Sequence, residues 1–371
     1  MTLRITKVEP IVVNIPLQKP VFVGTRELKD RDYLIVRIHT DEGVSGYGYT
    51  DGYGASIVQA HAVKDLFTRH VVDQDPLDHE RLWERVYQAN ASMGRKGLVV
   101  RALSAVDIAL WDIKCKVAGL PLHKVLGGYR DKVPCYASGG YYRRGEGLPE
   151  LRKEMEHWAS RNMRGVKMRI GLASLEEDVR RVAAAREILG PDVHLMLDAE
   201  LVWDNVTTAR RYAEASEPYN PYWLEGPFSL NRIHLHLQLA SQVRVPLATG
   251  GQEYTRWGFL EWIKPRAVEI LQPDAIVCGG ITEWLKIVHL ADAFDMKVSP
   301  HASWDVHSHL VAATPNALFV EYFDVQQDIK VLDRIVPNPV KPDADGYITP
   351  DPTPGVGIAF DEEKMGQFRV F

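Results

Sequence analysis

The chain has 371 residues, of which 46% are apolar and 25% charged, the composition of an ordinary globular protein with a large core. At roughly 150 residues per domain this length predicts two or three domains, although one α/β barrel can use about 250 residues. Lysine and arginine total 44 against 49 acidic residues, a net charge of −5, and no basic run offers a track for a polyanion. We therefore expect no nucleic-acid partner.

Cysteine usage and the amino-terminal sequence bear on location. The three cysteines, Cys115, Cys135 and Cys278, form no C-x-x-C pair, so we predict neither a disulfide framework nor a cysteine-based zinc site. The chain starts directly in alternating sequence without an apolar signal core, and no apolar run approaches the length of a membrane span. These features predict a cytoplasmic protein that has no membrane association.

The first third of the chain predicts a compact α+β unit. Residues 5–15 and 33–40 alternate in polarity and are rich in Val and Ile, as strands are, and Asp41-Glu42-Gly43 is typical of a hairpin turn. Residues 97–118 are apolar on nearly every face and stop at Gly119-Leu120-Pro121. We expect a buried helix there.

From residue 133 onward, short apolar runs alternate with amphipathic helical stretches. Eight runs are typical of strands: residues 135–137, 165–170, 193–197, 222–224, 245–248, 268–271, 297–299 and 318–320. Because parallel strands need long return connections and a barrel leaves no edge, this count favours a closed (β/α) barrel. We predict an α/β fold with an α+β domain at residues 1–130, a barrel at 131–325, and a carboxy-terminal segment, 326–371, that packs back on the first domain.

Ionisable side chains follow seven consecutive strand-like runs. In a (β/α) barrel the catalytic groups lie at the carboxyl ends of strands, where the loops converge on one mouth. In chain order the groups are Lys167 and Arg169, Asp198 and Glu200, Glu225, Glu253, Asp274, His301, and Glu321. One such residue is usually a helix cap or a solvated loop group, but seven in register favour a shared site.

The carboxylates in this series suit a metal ion. Asp198 and Glu225, with a further carboxylate near the fifth strand, form an oxygen-rich set that fits Mg²⁺ better than zinc. The metal would bind a substrate carboxylate and stabilise the enediolate formed when the neighbouring α-proton leaves. Lys167 and Arg169 face the same side of a strand, so we expect Arg169 to lower the pKa of Lys167 and make it a base. Alternatively, both cations bind a phosphate or carboxylate.

A second acid–base group follows the sixth and seventh strands. Asp274 and His301 come from strands that are neighbours in a barrel. A carboxylate on one imidazole nitrogen fixes the tautomer and raises basicity, which leaves the other nitrogen to act as base or acid. We predict that His301 is catalytic and that Asp274 orients it.

These residues, in this order, resemble those of the enolase superfamily, and specifically its mandelate racemase subgroup. Residues 105–112, Gly119-Leu120-Pro121 and Leu126-Gly127-Gly128 are similar to that family's capping domain, and the resemblance covers almost the whole chain. It implies a modified barrel whose mouth is covered by the first domain and the tail. Because relatives are commonly symmetric assemblies, the resemblance also implies that this protein is a homo-oligomer.

The resemblance also implies roles for individual residues. It implies that Lys167 is the base and Arg169 its modulating neighbour, and that Asp198 and Glu225 are the first two Mg²⁺ ligands. It further implies that Asp274 and His301 form a dyad and that Glu321 hydrogen-bonds the substrate carboxylate.

One position departs from the family's pattern. The family usually has Glu directly after the glycine of strand five, where this chain has Gly251. Glu253 lies two residues further on and would face the same way if the strand continued, so we predict Glu253 as the third ligand. Glu200, two residues after Asp198, is the alternative.

The predicted activity is Mg²⁺-dependent dehydration of an acid sugar, an aldonate or aldarate. A mouth that contains Glu200, Gln252 and Arg256 suits a polyhydroxylated acid better than an aromatic one. Lys167 or His301 would take the C2 proton, and His301 would assist loss of the C3 hydroxyl to give a 2-keto-3-deoxy acid. Alternatives are a racemase, epimerase or cycloisomerase on the same scaffold and, more distantly, a non-catalytic binding protein.

Substrate choice is expected to depend on the loop at residues 18–29, which the resemblance places over the barrel mouth. Phe22 or Arg26 of this loop would contact the substrate, and the alternative is simple loop packing. Trp304, three residues past His301, would line the pocket or pack in the core.

Overall fold

The amino-terminal part of the fold is a three-stranded antiparallel sheet; the computed structural model describes residues 3–371. β1 (Ile5–Val23) pairs with β2 (Arg26–Thr40), which pairs with β3 (Ser45–Asp51). Only Gly24 and Thr25 separate β1 from β2. The expected loop at residues 18–29 is therefore a pair of extended strand arms joined by a tight turn.

Helices pack against this sheet. They are α1 (Ser56–His61), a π-helical turn (Ala62–Phe67), α2 (Thr68–Val71), α3 (His79–Asn90), α4 (Leu98–Ala118) and α5 (Leu122–Val125). α4 is the buried helix expected from the sequence, and it ends at Gly119 in the left-handed conformation. A Cβ at Gly46 or Gly48 of β3 would overlap the backbone of α4, so these glycines let the helix lie directly on the sheet.

The second unit is a ring of eight parallel strands. They are β4 (Val133–Gly139), β5 (Gly165–Arg169), β6 (His194–Asp198), β7 (Trp223–Glu225), β8 (Leu247–Thr249), β9 (Ile270–Leu271), β10 (Lys297–Val298) and β11 (Val320–Tyr322). Consecutive strands from β4 to β10 are neighbours, and β11 pairs with β4. A bridge between Val298 and Ala317 brings β10 beside the chain that leads into β11, which closes the ring. The predicted (β/α) barrel is confirmed.

Helices return the chain between these strands. They are α6 (Leu148–Ser160), α7 (Leu175–Leu189), α8 (Val206–Ser216), α9 (Ile233–Ala240), α10 (Thr255–Ile263), α11 (Gly280–Ala293) and α12 (Trp304–Ala313). α7 starts where Ser174 accepts a hydrogen bond from the backbone N–H of Glu177, an N-cap that fixes the first turn. Short 3₁₀ turns occupy Glu217–Tyr219, Val325–Gln327 and Leu332–Ile335.

The carboxy-terminal segment contacts both units. β12 (Tyr347–Ile348) pairs antiparallel with β4 of the barrel. α13 (Glu362–Phe368) is followed by a bridge between Arg369 and Val13 of β1. The tail therefore joins the barrel to the first sheet rather than packing on the cap alone.

Two further findings concern membrane-spanning helices and the cysteines. Among residues 3–371, no helix combines the length and the apolar character that crossing a membrane requires. Cys115, Cys135 and Cys278 are all free and buried.

Candidate active site

A buried lysine in the middle of β5 contacts three carboxylates. Lys167 has no exposed surface, and its Nζ lies 2.7 Å from Oε1 of Glu225 and 2.9 Å from Oε1 of Glu321. The same Nζ is 3.4 Å from Oδ2 of Asp198. Strand register explains the grouping, because Asp198 of β6 is directly beside Glu225 of β7.

The electrostatics of Lys167 differ from the expectation. Burial lowers its pKa, but the carboxylates, led by Glu225 and Glu321, outweigh burial and hold the pKa of Lys167 well above its ordinary value. The lowering expected from Arg169 therefore does not prevail. Instead, Nε of Arg169 donates to Glu200 at 2.9 Å, and its guanidinium lies 3.7 Å from the ring centre of Tyr141.

Negative charge is in excess on the β6–β7 side of this group. Burial and the neighbouring Asp198 raise the pKa of Glu225 to about 7. Its second oxygen accepts hydrogen bonds from Nε1 of Trp223 at 3.1 Å and Nε2 of Gln272 at 2.7 Å, which orient the carboxylate. A cation placed here would relieve the repulsion between Asp198 and Glu225.

The imidazole of His301 faces the same cavity from the end of β10. Its Nδ1–H donates to Oδ2 of Asp274 at 2.9 Å, while the other oxygen of Asp274 accepts from the backbone N–H of Ile276. Burial lowers the pKa of His301, but the Asp274 hydrogen bond and the charge of Glu321 outweigh burial, so the pKa is raised. Nε2 is left to exchange a proton.

Glu253 does not join the carboxylate group, contrary to the expectation for the third ligand. Its Oε1 lies 2.5 Å from Nζ of Lys96, and its Oε2 accepts from Nε1 of Trp262 at 3.3 Å. β8 ends at Thr249, and the backbone turns at Gly250 with a φ of 125°. Since the strand does not continue, its alternation no longer governs the direction of residue 253.

Glu200, the alternative to Glu253, does face the cavity. Its Oε2 accepts from the backbone N–H of Gly24 in the β1–β2 turn, and its own N–H donates to Oδ1 of Asp198 at 2.8 Å. Its backbone is left-handed, with a φ of 49°, as occurs at functional sites held by their surroundings. Glu200 therefore links Arg169 and the carboxylates to the turn over the barrel mouth.

One cavity of about 390 Å³ joins these groups, a size typical of small-molecule sites. Of the predicted site residues, its wall contains Arg26, Arg169, Asp198, Glu200, Glu225 and His301. Lys167, Glu321 and Asp274 lie behind this wall and contact its members Glu225, Arg169 and His301 respectively.

Three residues expected near the substrate lie elsewhere. Phe22 stays outside the cavity wall, where it contacts the guanidinium of Arg144. Trp304 packs on Tyr322 and donates from Nε1 to the carbonyl of Val340. Arg256 binds Glu283 at 2.6 Å rather than facing the mouth.

The donor set can be compared with what a divalent cation requires. Across residues 3–371 no three His, Cys, Asp or Glu side chains already converge as a metal cage. Mg²⁺ does not need one, because it commonly binds one or two carboxylates and takes its other ligands from water and substrate. Asp198 and Glu225 fit that requirement through their oxygen donors, their adjacency and the raised pKa of Glu225.

The comparison with known families agrees with this geometry. Residues 5–127 match the mandelate racemase/muconate lactonizing enzyme N-terminal domain, and residues 150–364 match the enolase C-terminal domain-like family. The chain belongs to this family, the mandelate racemase group of the enolase superfamily.

Several characterised family members are similar over nearly their full length. The arabinonate dehydratase of Saccharolobus solfataricus is 33% identical, with 91% of each chain covered. The D-galactarolactone cycloisomerase of Agrobacterium fabrum is 30% identical, with 99% of each covered. The solved L-talarate dehydratase of Polaromonas sp. JS666, complexed with Mg and L-glucarate, has a TM-score of 0.90 and 32% identity, and the match covers 100% of this chain and 98% of that one.

The cavity of this family member also contains residues that sequence reasoning did not assign. Tyr53, Arg31 and Arg101 come from the cap, and Lys330 comes from the chain after β11. Arg101 carried a signal, because it is a charged residue close to the start of α4, a helix that is apolar on nearly every face. Arg31 and Lys330 lie in polar surroundings in the sequence, where nothing distinguishes a buried cation from a surface one.

Proposed function

We propose that this protein is a Mg²⁺-dependent dehydratase of an acid sugar. One observation carries the proposal. A histidine held by a carboxylate, His301 on Asp274, lines the same cavity as Asp198 and Glu225, and Lys167 contacts both of these carboxylates from behind the wall. Groups able to move protons therefore lie on two sides of the cavity, at β10 and β5.

The metal would be held by Asp198 and Glu225. When bound, Mg²⁺ supplies Lewis-acid polarisation of the substrate carboxylate, which makes the neighbouring proton more acidic. The carboxylate charge that raises the pKa of Lys167 is the charge that a divalent cation would neutralise. Glu200, whose two oxygens bind Arg169 and Gly24, positions these groups rather than completing the ligand set.

The protein's own residues then move two protons. Lys167 takes the proton from C2 of the substrate, next to the carboxylate. His301, whose pKa is raised by Asp274, is protonated at Nε2 and donates that proton to the C3 hydroxyl as it leaves. Glu321, which accepts from the N–H of Ala302 at 2.8 Å and contacts Lys167, holds the two halves of the site together. The enol product tautomerises to a 2-keto-3-deoxy acid.

A cycloisomerase or racemase is the second candidate, because similar relatives include a D-galactarolactone cycloisomerase. Both reactions move protons with the same groups but expel no water. The test is incubation of the Mg²⁺-loaded protein with a panel of aldonates, aldarates and their lactones. Formation of a 2-keto acid from an open-chain aldonate or aldarate, detected with semicarbazide, supports dehydration. Solvent-deuterium incorporation without a keto acid, or a keto acid formed from lactones alone, would instead support the second candidate.

A further inference from the structure

Three buried cations surround one aromatic ring in the cavity wall. The charged ends of Arg31 and Arg101 each lie 5.6 Å from the ring centre of Tyr53, and Nζ of Lys330 lies 5.9 Å from it. Their residues are 5%, 7% and 8% exposed respectively. None belongs to the proton-moving or metal-holding groups described above.

The cluster has more positive charge than its partners neutralise. Asp51 accepts from Arg101 through one oxygen and from Lys330 through the other, at 2.9 Å. Arg31 donates only from Nε, to the carbonyl of Ile329 at 2.8 Å, and its terminal nitrogens make no hydrogen bond within residues 3–371. One carboxylate thus faces three cations, and the cluster has a net charge of about +2.

Burying three cations together destabilises the folded protein unless further negative charge pairs with them. A single cation would suffice to neutralise Asp51, and each additional buried cation loses several kcal/mol of hydration. A purely structural role, in which one cation pairs with Asp51 and so joins the cap to the tail, would therefore explain one buried cation. It would not explain all three. Arg31, whose terminal nitrogens make no hydrogen bond among the described residues, lines the cavity, and Gly97 and Leu98 place the amino end of α4 in the same wall.

The cluster belongs to the substrate cavity and not to a separate one. Arg31, Arg101 and Lys330 line the same space as Asp198, Glu225 and His301. The charge of Lys330 reaches His301, where it opposes the protonated imidazole. A substrate bound to the catalytic groups by one end can therefore extend toward the cluster with its other end.

We propose that Arg31, Arg101 and Lys330 bind a second carboxylate at the far end of the substrate, so that the preferred substrate is an aldarate and not an aldonate. The inference rests on the proposed function and specifies its substrate class. Guanidinium groups bind carboxylates through paired hydrogen bonds, and a charge-assisted bond is worth enough to change affinity about 10- to 100-fold. Residues of the cap and the tail would then select the substrate, while residues of the barrel perform the reaction.

The test compares matched substrates in the Mg²⁺-loaded full chain. Each six-carbon aldarate is paired with the aldonate of the same configuration, which has a hydroxymethyl group in place of the distal carboxylate. We expect kcat/KM for the best aldarate to exceed that of its aldonate by about 10-fold or more. Arg101→Met and Lys330→Met should each remove most of that preference, by raising KM for the aldarate more than KM for the aldonate.

Controls separate charge from folding. Arg101→Lys keeps the charge and should retain more of the preference than Arg101→Met. Arg144→Met removes an exposed cation that pairs with Glu27 outside the cavity, and the preference should not change. An aldonate turned over as fast as its aldarate, or variants that slow both substrates equally, would overturn the inference and leave the dehydratase proposal standing.

Absence of turnover on the whole panel would instead count against the proposed function. In that case calorimetry with adipate and hexanoate still tests the cluster. Tighter binding of the diacid, lost in Arg101→Met, supports a distal carboxylate site. Equal binding of the two acids contradicts it.

Discussion

Gly251 lies against the ring of His301, so closely that a Cβ built on it would be 2.7 Å from Cγ of the imidazole. At this position, where the family resemblance implied a Glu, the chain has no side chain, and the imidazole of His301 lies directly against the backbone. A side chain at position 251 and the present position of the His301 ring therefore exclude each other.

The first prediction concerns this contact. Gly251→Ala should push His301 away from Asp274 and reduce kcat by about 10- to 100-fold, because overpacking a well-fitted site costs about 1–3 kcal/mol. Steady-state kinetics with the best substrate of the panel measure this. Gly366→Ala is the matched control, since nothing lies within 4 Å of a Cβ there, and alanine favours its helix. If Gly251→Ala retains full kcat, His301 does not depend on the empty position.

A second prediction separates the roles of His301 and Lys167. His301→Asn should reduce dehydration by about 10²- to 10⁴-fold, because the departing hydroxyl loses its proton donor. The same variant should still exchange the C2 proton of the substrate with solvent deuterium, since Lys167 remains. Lys167→Met should abolish exchange and dehydration together. Proton NMR in D₂O measures both processes, and loss of exchange in His301→Asn would assign the base role to His301.

Much of this fold follows from sequence, and the errors have a common cause. The eight runs from residue 135 to 320 coincide with or adjoin the strands because parallel strands buried on both sides are short and continuously apolar. Asp198 and Glu225 are the last residues of their strands, so strand alternation places them correctly. Glu253 lies beyond the end of β8, where alternation no longer applies.

Contacts between residues distant in sequence account for the remaining differences between the sequence-based predictions and the structure. The pKa of Lys167 depends on Glu321, which is distant in sequence and adjacent only because the barrel closes. The cluster of Arg31, Arg101 and Lys330 assembles from three separate segments around Tyr53. The periodicity of apolar residues within one helix or strand contains no information about contacts between separate segments.

A third prediction concerns the metal. Asp198→Asn and Glu225→Gln should each weaken Mg²⁺ binding by about 10-fold or more, because each removes one of two charged ligands. Glu253→Gln should leave Mg²⁺ affinity within about twofold, since its carboxylate pairs with Lys96. Calorimetric titration of the metal-free protein measures affinity without reference to turnover. A large loss in Glu253→Gln would restore Glu253 as a ligand, and a large loss in Glu200→Gln would assign that role to Glu200.

The last prediction concerns the junction between cap and barrel. Asp107 of α4 accepts hydrogen bonds from the hydroxyl and the backbone N–H of Thr282 in α11, at 2.6 and 2.9 Å. Burial raises the pKa of Asp107 from 3.8 to about 7. The folded protein retains this proton until about pH 7, whereas the unfolded chain releases it near pH 3.8. The stability that Asp107 contributes is therefore complete below pH 3.8 and is lost as the pH rises toward 7.

Asp107→Asn removes the titration but keeps the shape of the side chain. Urea unfolding at several pH values should show the free energy of unfolding of the natural protein falling relative to that of Asp107→Asn as the pH rises from 4 to 8, by roughly 1–3 kcal/mol. Glu362→Gln is a suitable control, because that carboxylate is exposed and forms its contacts within the cap and tail. A difference between Asp107→Asn and the natural protein that stays constant over this range would mean that Asp107 is ionised in the folded state and that Thr282 and the amino end of α11 stabilise its charge.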